Sequence, residues 1–128
     1  MVLDTSAIMA ILQQEPEAAD FARRIEESAT RLVSAGTVLE AGILTQSRRG
    51  KAGASELENF LLRGAIDIVP FDAEQAIIAR EACRRFGKGR HAAGLNFGDC
   101  FAYALAQVFG EPLLFKESDF SRTDVVAA

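Results

Sequence analysis

Short apolar runs alternate with longer amphipathic stretches along this chain, and the alternation predicts strands and helices in turn. The apolar runs are short, continuous and rich in leucine, valine and isoleucine, which is typical of strands buried on both faces of a parallel sheet. Four of them are predicted strands, and a fifth short one is expected near the end of the chain: Met1–Leu3, Arg31–Ser34, Ile66–Pro70, Pro112–Phe115 and Val125–Val126.

Apolar residues recur at helical spacing between these runs, and capping residues mark where helices begin. Six helices are predicted: Ala7–Gln14 with Ser6 or Thr5 as its cap, one with Pro16 in its first turn, one capped by Thr37, one through Leu57 and Leu61, one capped by Asp72, and one opened by Asn96–Asp99 and ended by Gly110. The glycine-rich, basic segment Arg48–Gly53 is the clearest break. Strands that alternate with helices indicate an α/β fold with a central parallel sheet of four to five strands.

Length and composition set few further limits. The 128 residues suit one domain, and 49% hydrophobic content with 25% charged residues excludes a disordered chain. No apolar run is long enough to span a membrane, and Asp4 interrupts the N-terminal run before it could act as a secretory signal. Cys83 and Cys100 form no recognisable disulfide framework, so a reduced, cytoplasmic protein is expected. The net charge of −4 argues against coating nucleic acid by bulk attraction.

Four carboxylates occupy equivalent places in the predicted fold. Asp4 ends the first strand, Glu40 and Asp99 lie in the first turns of helices, and Asp119 follows the fourth strand. In a parallel sheet these places share one edge. A carboxylate in a first helical turn is also explained by the helix dipole alone. Four at one edge repel one another, however, and the usual way to hold them ionised is a hard cation, which predicts Mg²⁺ or Mn²⁺.

The blocks that carry these acids resemble PIN-domain ribonucleases, and more narrowly VapC-type toxins of bacterial toxin–antitoxin pairs. The resemblance spans the chain and rests on the order of four blocks: Val2–Ala7, the isolated Glu40, Gly94–Cys100 and Pro112–Phe120. It implies a three-layer α/β/α sandwich, a Mg²⁺- or Mn²⁺-dependent endoribonuclease acting on RNA, a homodimer, and a cognate antitoxin that occludes the site.

The resemblance also implies a role for each acid. Asp4 and Asp99 would be direct metal ligands, Glu40 would hold the metal or its water, and Asp119 would complete the set. Ser6 would be a polar neighbour of that water. One departure from the pattern is Glu117-Ser118, where relatives often have glycine with another acidic or amide residue, and this departure bears on the orientation of Asp119.

Basic residues next to the acids are candidate contacts for RNA phosphates. Lys88, Arg90 and Lys116 lie in loops beside acidic positions, whereas Arg84 and Arg85 sit where a helix dipole alone would favour them. The other basic candidates, at Arg48–Lys51, are equally explained as a solvated face.

His91 is the only histidine, but a metal mechanism does not need it. Cys100 is expected to pack as a small hydrophobe and not to pair with His91. Tyr103 can either reach the cleft or pack in the core. The other aromatic candidates read as core or dimer contacts: Phe101, Phe109, Phe115 and Phe120.

Three other interpretations compete with a nuclease. A receiver-type signalling module also binds Mg²⁺ at a sheet edge, but it requires an acidic pair after the first strand and an aspartate after the third, and both are missing. A phosphohydrolase with an aspartate nucleophile requires an Asp-x-Asp start, whereas Ser6 occupies the second position. A binding-only relative would have lost its acids. The RNA target, the metal preference and the antitoxin are left open by the sequence.

Overall fold

The computed structural model describes residues 1–116 and 118–128. Strands and helices alternate through the chain and end in a short 3-10 helix, Ser118–Arg122. The elements are β1 (Val2–Leu3), α1 (Thr5–Leu12), α2 (Ala18–Glu27), β2 (Leu32–Ser34), α3 (Ala35–Arg63), β3 (Asp67–Val69), α4 (Ala73–Phe86), α5 (Phe97–Phe109) and β4 (Leu113–Leu114).

All strand pairs of the sheet are parallel, and the strand order is β3-β2-β1-β4. Val2 in β1 pairs with Leu32 on one side and Leu113 on the other. The fifth strand expected at Val125–Val126 is reduced to a single parallel bridge between Leu113 and Ala127. The sheet therefore has the predicted parallel architecture, with its last strand shortened to one pair.

Consecutive residues of β1 and of β4 face opposite layers of helices, which explains why these two strands are apolar throughout. The predicted burial is wrong for β3, where Asp67 and Ile68 are exposed. Val2 packs with α4 and α5 in a core that contains Phe86 and Leu105. Leu3 packs on the opposite side in a core formed with α1, α2 and α3, which contains Ile8 and Leu57. The predicted three-layer α/β/α sandwich is confirmed.

The break predicted at Arg48–Gly53 is a one-residue kink inside α3 and not a loop. Gly50 has φ 58° and ψ −140°, and the chain on both sides of it is helical. A side-chain carbon on Gly53 would lie 2.3 Å from the carbonyl oxygen of Thr45. Residues eight apart in a straight helix are separated by about 12 Å. The two halves of α3 therefore fold back on each other, and the third and fourth predicted helices form this hairpin.

Two helix caps differ from the prediction. The carboxylate of Asp4 itself caps α1, because it lies at the strand exit within reach of the Ser6 N–H, so neither Thr5 nor Ser6 is the cap. Ser34 and not Thr37 caps α3, which starts the helix earlier and moves Glu40 from its first turn into its second. The predicted caps at Asp72, Asn96 and Gly110 are confirmed. In the part of the chain that the structure describes, the helices lack the combined length and hydrophobicity that a membrane span requires.

Candidate functional site

The carboxyl end of the sheet brings distant segments of the chain together. The backbone N–H of Asp4 donates to the carbonyl of Leu114 in β4, over a distance of 3.0 Å. The segment after β4 is fixed to the same place, because the N–H of Lys116 donates to Ser6 Oγ at 3.0 Å. The exits of β1 and β4 therefore lie side by side, as the order of strands requires.

Asp4 is the buried centre of this edge, with only 3% of its surface exposed. Its Oδ2 accepts two hydrogen bonds from Ser6, one from the backbone N–H at 2.9 Å and one from Oγ at 2.6 Å. Its Oδ1 is buried and has no hydrogen-bond partner among the described residues. Ser6 thus links Asp4 to Lys116 by donating to one and accepting from the other. One oxygen of the carboxylate is therefore fixed by hydrogen bonds, and the other makes none with the described residues.

Burial raises the pKa of the Asp4 carboxyl from 3.8 to about 7. The two hydrogen bonds from Ser6 oppose this increase, and the negative charges of Asp99 and Glu40 add to it. These charges act on Asp4 from two other helices, α5 and α3. The structure therefore brings three of the four predicted acids into one electrostatic neighbourhood.

Glu40 is held in place by residues from two other elements. The hydroxyl of Thr5 donates a hydrogen bond to Glu40 Oε1. The other carboxylate oxygen lies against Gly98, where an added side-chain carbon would be 2.0 Å from Oε2. Only glycine leaves room for the carboxylate there. Because Glu40 lies in the second turn of α3, the helix dipole does not account for its position, and the contacts with α1 and α5 do.

Asp99 is half-buried and is fixed by the first turn of α5. Its Oδ2 accepts from the backbone N–H of Asn96, and Asn96 Oδ1 accepts from the N–H of Asp99, both at 3.0 Å. This reciprocal capping box satisfies two donors of the helix start and sets the direction of the Asp99 side chain. The Asn96–Asp99 block, which the sequence analysis identified as a candidate site, therefore also stabilises the start of α5.

Asp119 and Lys116 differ from the other candidates. Asp119 is half-buried in the 3-10 helix Ser118–Arg122, and it is not one of the charges that raise the pKa of Asp4. Glu117, which departs from the family pattern, lies outside the described residues. Lys116 Nζ forms ion pairs with Glu15 at 3.0 Å and Glu17 at 3.6 Å. Its side chain is therefore directed to the turn between α1 and α2, and an RNA phosphate would have to displace two carboxylates.

The donor set at this edge fits a hard cation in charge and in chemistry. Asp4 offers a buried oxygen without a partner, and Asp99 and Glu40 supply carboxylates whose repulsion a cation would relieve. Among the described residues, no three acidic, histidine or cysteine side chains are close enough to share one ion as they stand. Cation binding would therefore require side-chain movement, and the ligand roles of these acids stay predictions.

A groove between α4 and α5 lies next to this edge and carries exposed cations. We call it the α4–α5 groove, and its volume is about 840 Å³. Its lining includes basic, cysteine and helix-start residues: Arg80, Cys83, Arg84, Lys88, Arg90, Asn96, Phe97 and Cys100. Arg84 is engaged by Glu81 at 2.5 Å. Lys88 and Arg90 are exposed and have no ion pair among the described residues. Phe97 is 80% exposed at its edge, two residues before Asp99.

The remaining candidates are used elsewhere in the structure. His91 is exposed, and its Nδ1 accepts from the N–H of Ala93 at 3.0 Å. Tyr103 is buried and donates to Asp124 at 2.7 Å, and burial together with this carboxylate raises its pKa. The sulfur of Cys100 contacts the sulfur of Cys83 and the carbonyl oxygen of Asn96.

Comparison with known proteins assigns the class that this fold and acidic edge suggest. The sequence matches the PIN domain family over residues 1–126, so the chain belongs to that family. Within it the chain groups with the VapC ribonucleases, since it is 50% identical over 127 residues to the ribonuclease VapC of Mycolicibacterium smegmatis. That match covers 99% of this chain and 98% of the relative.

Solved structures of lower identity share the fold. The crystal structure of Mycobacterium tuberculosis VapC20, described as a sarcin-ricin loop cleaving toxin, superposes with a TM-score of 0.79 at 18% identity. The comparison covers 99% of this chain and 97% of that one. VapBC2 from Rickettsia felis, bound to a DNA fragment from its promoter, superposes with a TM-score of 0.76 at 16% identity. It covers 98% of this chain and 94% of that one.

Membership of the PIN domain family excludes the receiver and phosphohydrolase interpretations.

The structure adds three residues to the candidate site that the sequence analysis missed. Thr5 and Gly98 both contact the Glu40 carboxylate, and Arg80 joins the cations of the α4–α5 groove. Arg80 is one helical turn before Arg84 on α4, so its spacing was an available signal. The contacts of Thr5 and Gly98 cross three elements, and no local pattern announces them.

Proposed function

We propose that this chain is the endoribonuclease toxin of a toxin–antitoxin pair, with a divalent cation held by Asp4, Asp99 and Glu40. Asp119 completes the acidic set from the segment after β4. The observation that carries the proposal is the buried, unpartnered Oδ1 of Asp4 under the charges of two acids from distant parts of the chain. Mg²⁺ or Mn²⁺, when bound, supplies polarisation of a phosphoryl oxygen and a water of lowered pKa.

The chain's own residues orient and restrain this site. Ser6 fixes Asp4 Oδ2 and leaves Oδ1 without a hydrogen-bond partner among the described residues, while Thr5 fixes one oxygen of Glu40. The capping box fixes Asp99 at the start of α5. Because Asp4 has a pKa near 7 without a cation, cation binding favours its ionised form, and the two are coupled.

Lys88 and Arg90 are proposed to contact RNA phosphates along the α4–α5 groove, with Arg80 beside them. Two observations support this proposal. Lys88 and Arg90 form no ion pairs among the described residues, and they line the groove next to the start of α5. Each phosphate contact that is removed should weaken binding and reduce its dependence on salt concentration. Binding of single-stranded RNA to Lys88→Ala, compared with Lys51→Ala on the exposed kink of α3, tests this assignment. Equal salt dependence in both variants would remove Lys88 from the interface.

An apolar surface suits a second copy of the chain or the antitoxin. Leu39 and Ile43 are 65% and 59% exposed on one face of α3, and Phe97 lies nearby, because Phe101 bridges it to Gly36 at the start of the same helix. We propose a homodimer through this surface. Leu39→Asp should shift the sedimentation of the isolated protein towards monomer. A matched change at Leu62, which is 78% exposed, should not.

The experiment that tests the function is to sequence RNA 5′ and 3′ ends after inducing wild type and Asp4→Asn in parallel. New ends at defined positions are expected with wild type only. Asp20→Asn is the matched control, because Asp20 is a partly exposed aspartate paired with Arg23 and Arg24 on α2, away from the proposed site. Ends that appear equally with Asp4→Asn would contradict the proposal, and ends that appear with none of the three would favour a relative that only binds.

A further inference from the structure

Two cysteine side chains from neighbouring helices meet in the α4–α5 groove. Cys83 Sγ on α4 lies 2.9 Å from Cys100 Sγ on α5, and both cysteines are free. The sulfurs are within about 1 Å of the disulfide bond length of roughly 2.05 Å. The residues are 17 apart in the chain and form no motif, so only the packing of the two helices brings them together.

The two sulfurs differ in what can reach them. Cys83 is half-buried and lines the groove, which opens to solvent. Cys100 is buried, and its sulfur donates to the carbonyl of Asn96 at 3.3 Å. A reagent from solvent therefore meets Cys83 first, with Cys100 directly behind it.

We propose that Cys83 and Cys100 are a modification site at which a hydroperoxide forms a reversible disulfide between α4 and α5. The sulfur of Cys83 attacks the peroxide, the O–O bond breaks, and the products are a Cys83 sulfenic acid and an alcohol, or water when the oxidant is hydrogen peroxide. The sulfur of Cys100 then attacks the sulfenic sulfur. The S–S bond forms as the S–O bond breaks, and the proton of Cys100 leaves with the hydroxyl group as water. The two thiols lose two electrons and the peroxide gains them.

The disulfide would act on the helix start that holds Asp99. Cys100 is the next residue, and its thiol donates to Asn96, which forms the capping box with Asp99. Oxidation removes this donor and joins the first turn of α5 to the last turns of α4. The amide NMR signals of Asn96 and Asp99 are therefore expected to shift on oxidation. The disulfide and its test do not depend on whether the chain cleaves RNA.

The test treats the full-length folded protein with hydrogen peroxide, removes the peroxide with catalase, and then unfolds and alkylates the remaining thiols. Tryptic digestion should yield the peptides 81–84 and 91–116 joined by a bond that dithiothreitol breaks, with the protein still a single chain on a non-reducing gel. Three results would overturn the proposal: alkylation of both cysteines, a Cys83 sulfinic acid with Cys100 still alkylated, or a disulfide between two chains.

Two single variants serve as controls. In Cys100→Ser, peroxide should give a Cys83 sulfenic acid that dimedone traps, and in Cys83→Ser the Cys100 thiol should be alkylated only after unfolding. The oxidised wild type should unfold at a higher urea concentration than the reduced protein, because a disulfide that fits the fold restricts mainly the unfolded chain. An equal or lower midpoint would show that the fold does not position these sulfurs for a bond.

Discussion

Replacing Asp4 with asparagine should make the metal-free protein more stable at alkaline pH while abolishing its activity. The reason is the burial that raises the pKa of Asp4 from 3.8 to about 7. Below about pH 4 the carboxyl is protonated in the folded and unfolded chain alike. As the pH rises from about 4 to about 7, the unfolded chain releases its proton first, so the free energy of unfolding decreases. Above about pH 7 the carboxylate is ionised in both states, and burying its charge lowers the free energy of unfolding by about 4 kcal/mol.

Asp4→Asn removes the cost of burying an ionised carboxylate and introduces the smaller cost of burying an unpaired amide group. Asparagine Oδ1 can keep both hydrogen bonds from Ser6, but its amide group then occupies the place of Asp4 Oδ1, which has no partner among the described residues. An unsatisfied buried donor costs about 1–3 kcal/mol. Asp4→Asn should therefore be more stable than wild type by about 1–3 kcal/mol near pH 8, and about equal to it near pH 5.

The assay is equilibrium urea unfolding in a metal chelator at about pH 5 and about pH 8. The stability difference between wild type and Asp4→Asn should change by about 3 kcal/mol between the two conditions. Asp20→Asn is the control, because its exposed carboxylate has a lowered pKa and is ionised throughout this range in both states. A difference between wild type and Asp4→Asn that does not change with pH would show that Asp4 is not held at a raised pKa, and the electrostatic account of the site would fail.

Two further substitutions test how Glu40 is positioned. In Gly98→Ala the new methyl group would lie 2.0 Å from Glu40 Oε2, so the Glu40 carboxylate must move away, and we expect RNA cleavage to be lost with little change in stability. Gly42→Ala is its control, because a methyl group there meets no atom closer than 3.8 Å, and it should raise stability by about 0.5–1 kcal/mol. In Thr5→Val the hydroxyl that holds Glu40 is removed, and cleavage should fall by about tenfold while the free energy of unfolding changes by less than about 1 kcal/mol. Thr45→Val removes only a hydroxyl bonded within α3 and should leave cleavage unchanged; equal effects of both threonine variants would contradict the role of Thr5.

The sheet and its edge could be predicted from the sequence because each depends on local patterns. The β1 and β4 residues are apolar on both faces since helices cover both, and a continuous apolar run announces such a strand. Asn96 and Asp99 are three residues apart at a helix start, which is the spacing of the capping box found there. The placement of Asp4 followed from the same reasoning.

Other features depend on contacts between distant residues or on the angle of a single residue. One positive φ at Gly50 folds α3 back on itself, and the sequence around it reads equally well as a loop. Lys116 looked free in the sequence, but Glu15 and Glu17 reach it from the turn after α1. The Cys83–Cys100 contact likewise follows only from the packing of α4 against α5.

The central claim is that the carboxylate at the exit of β1 acts together with those of α3 and α5 as one cation-dependent catalytic site. Single-turnover cleavage of a target RNA across a Mg²⁺ titration tests it most directly, with Asp4→Asn, Glu40→Gln and Asp99→Asn compared with Asp20→Asn. The account predicts that a chelator stops cleavage, that each site variant slows it by about 100-fold or more at saturating Mg²⁺, and that Asp20→Asn cleaves like wild type. Cleavage by Asp99→Asn at the wild-type rate, or cleavage that continues in the chelator, would contradict it.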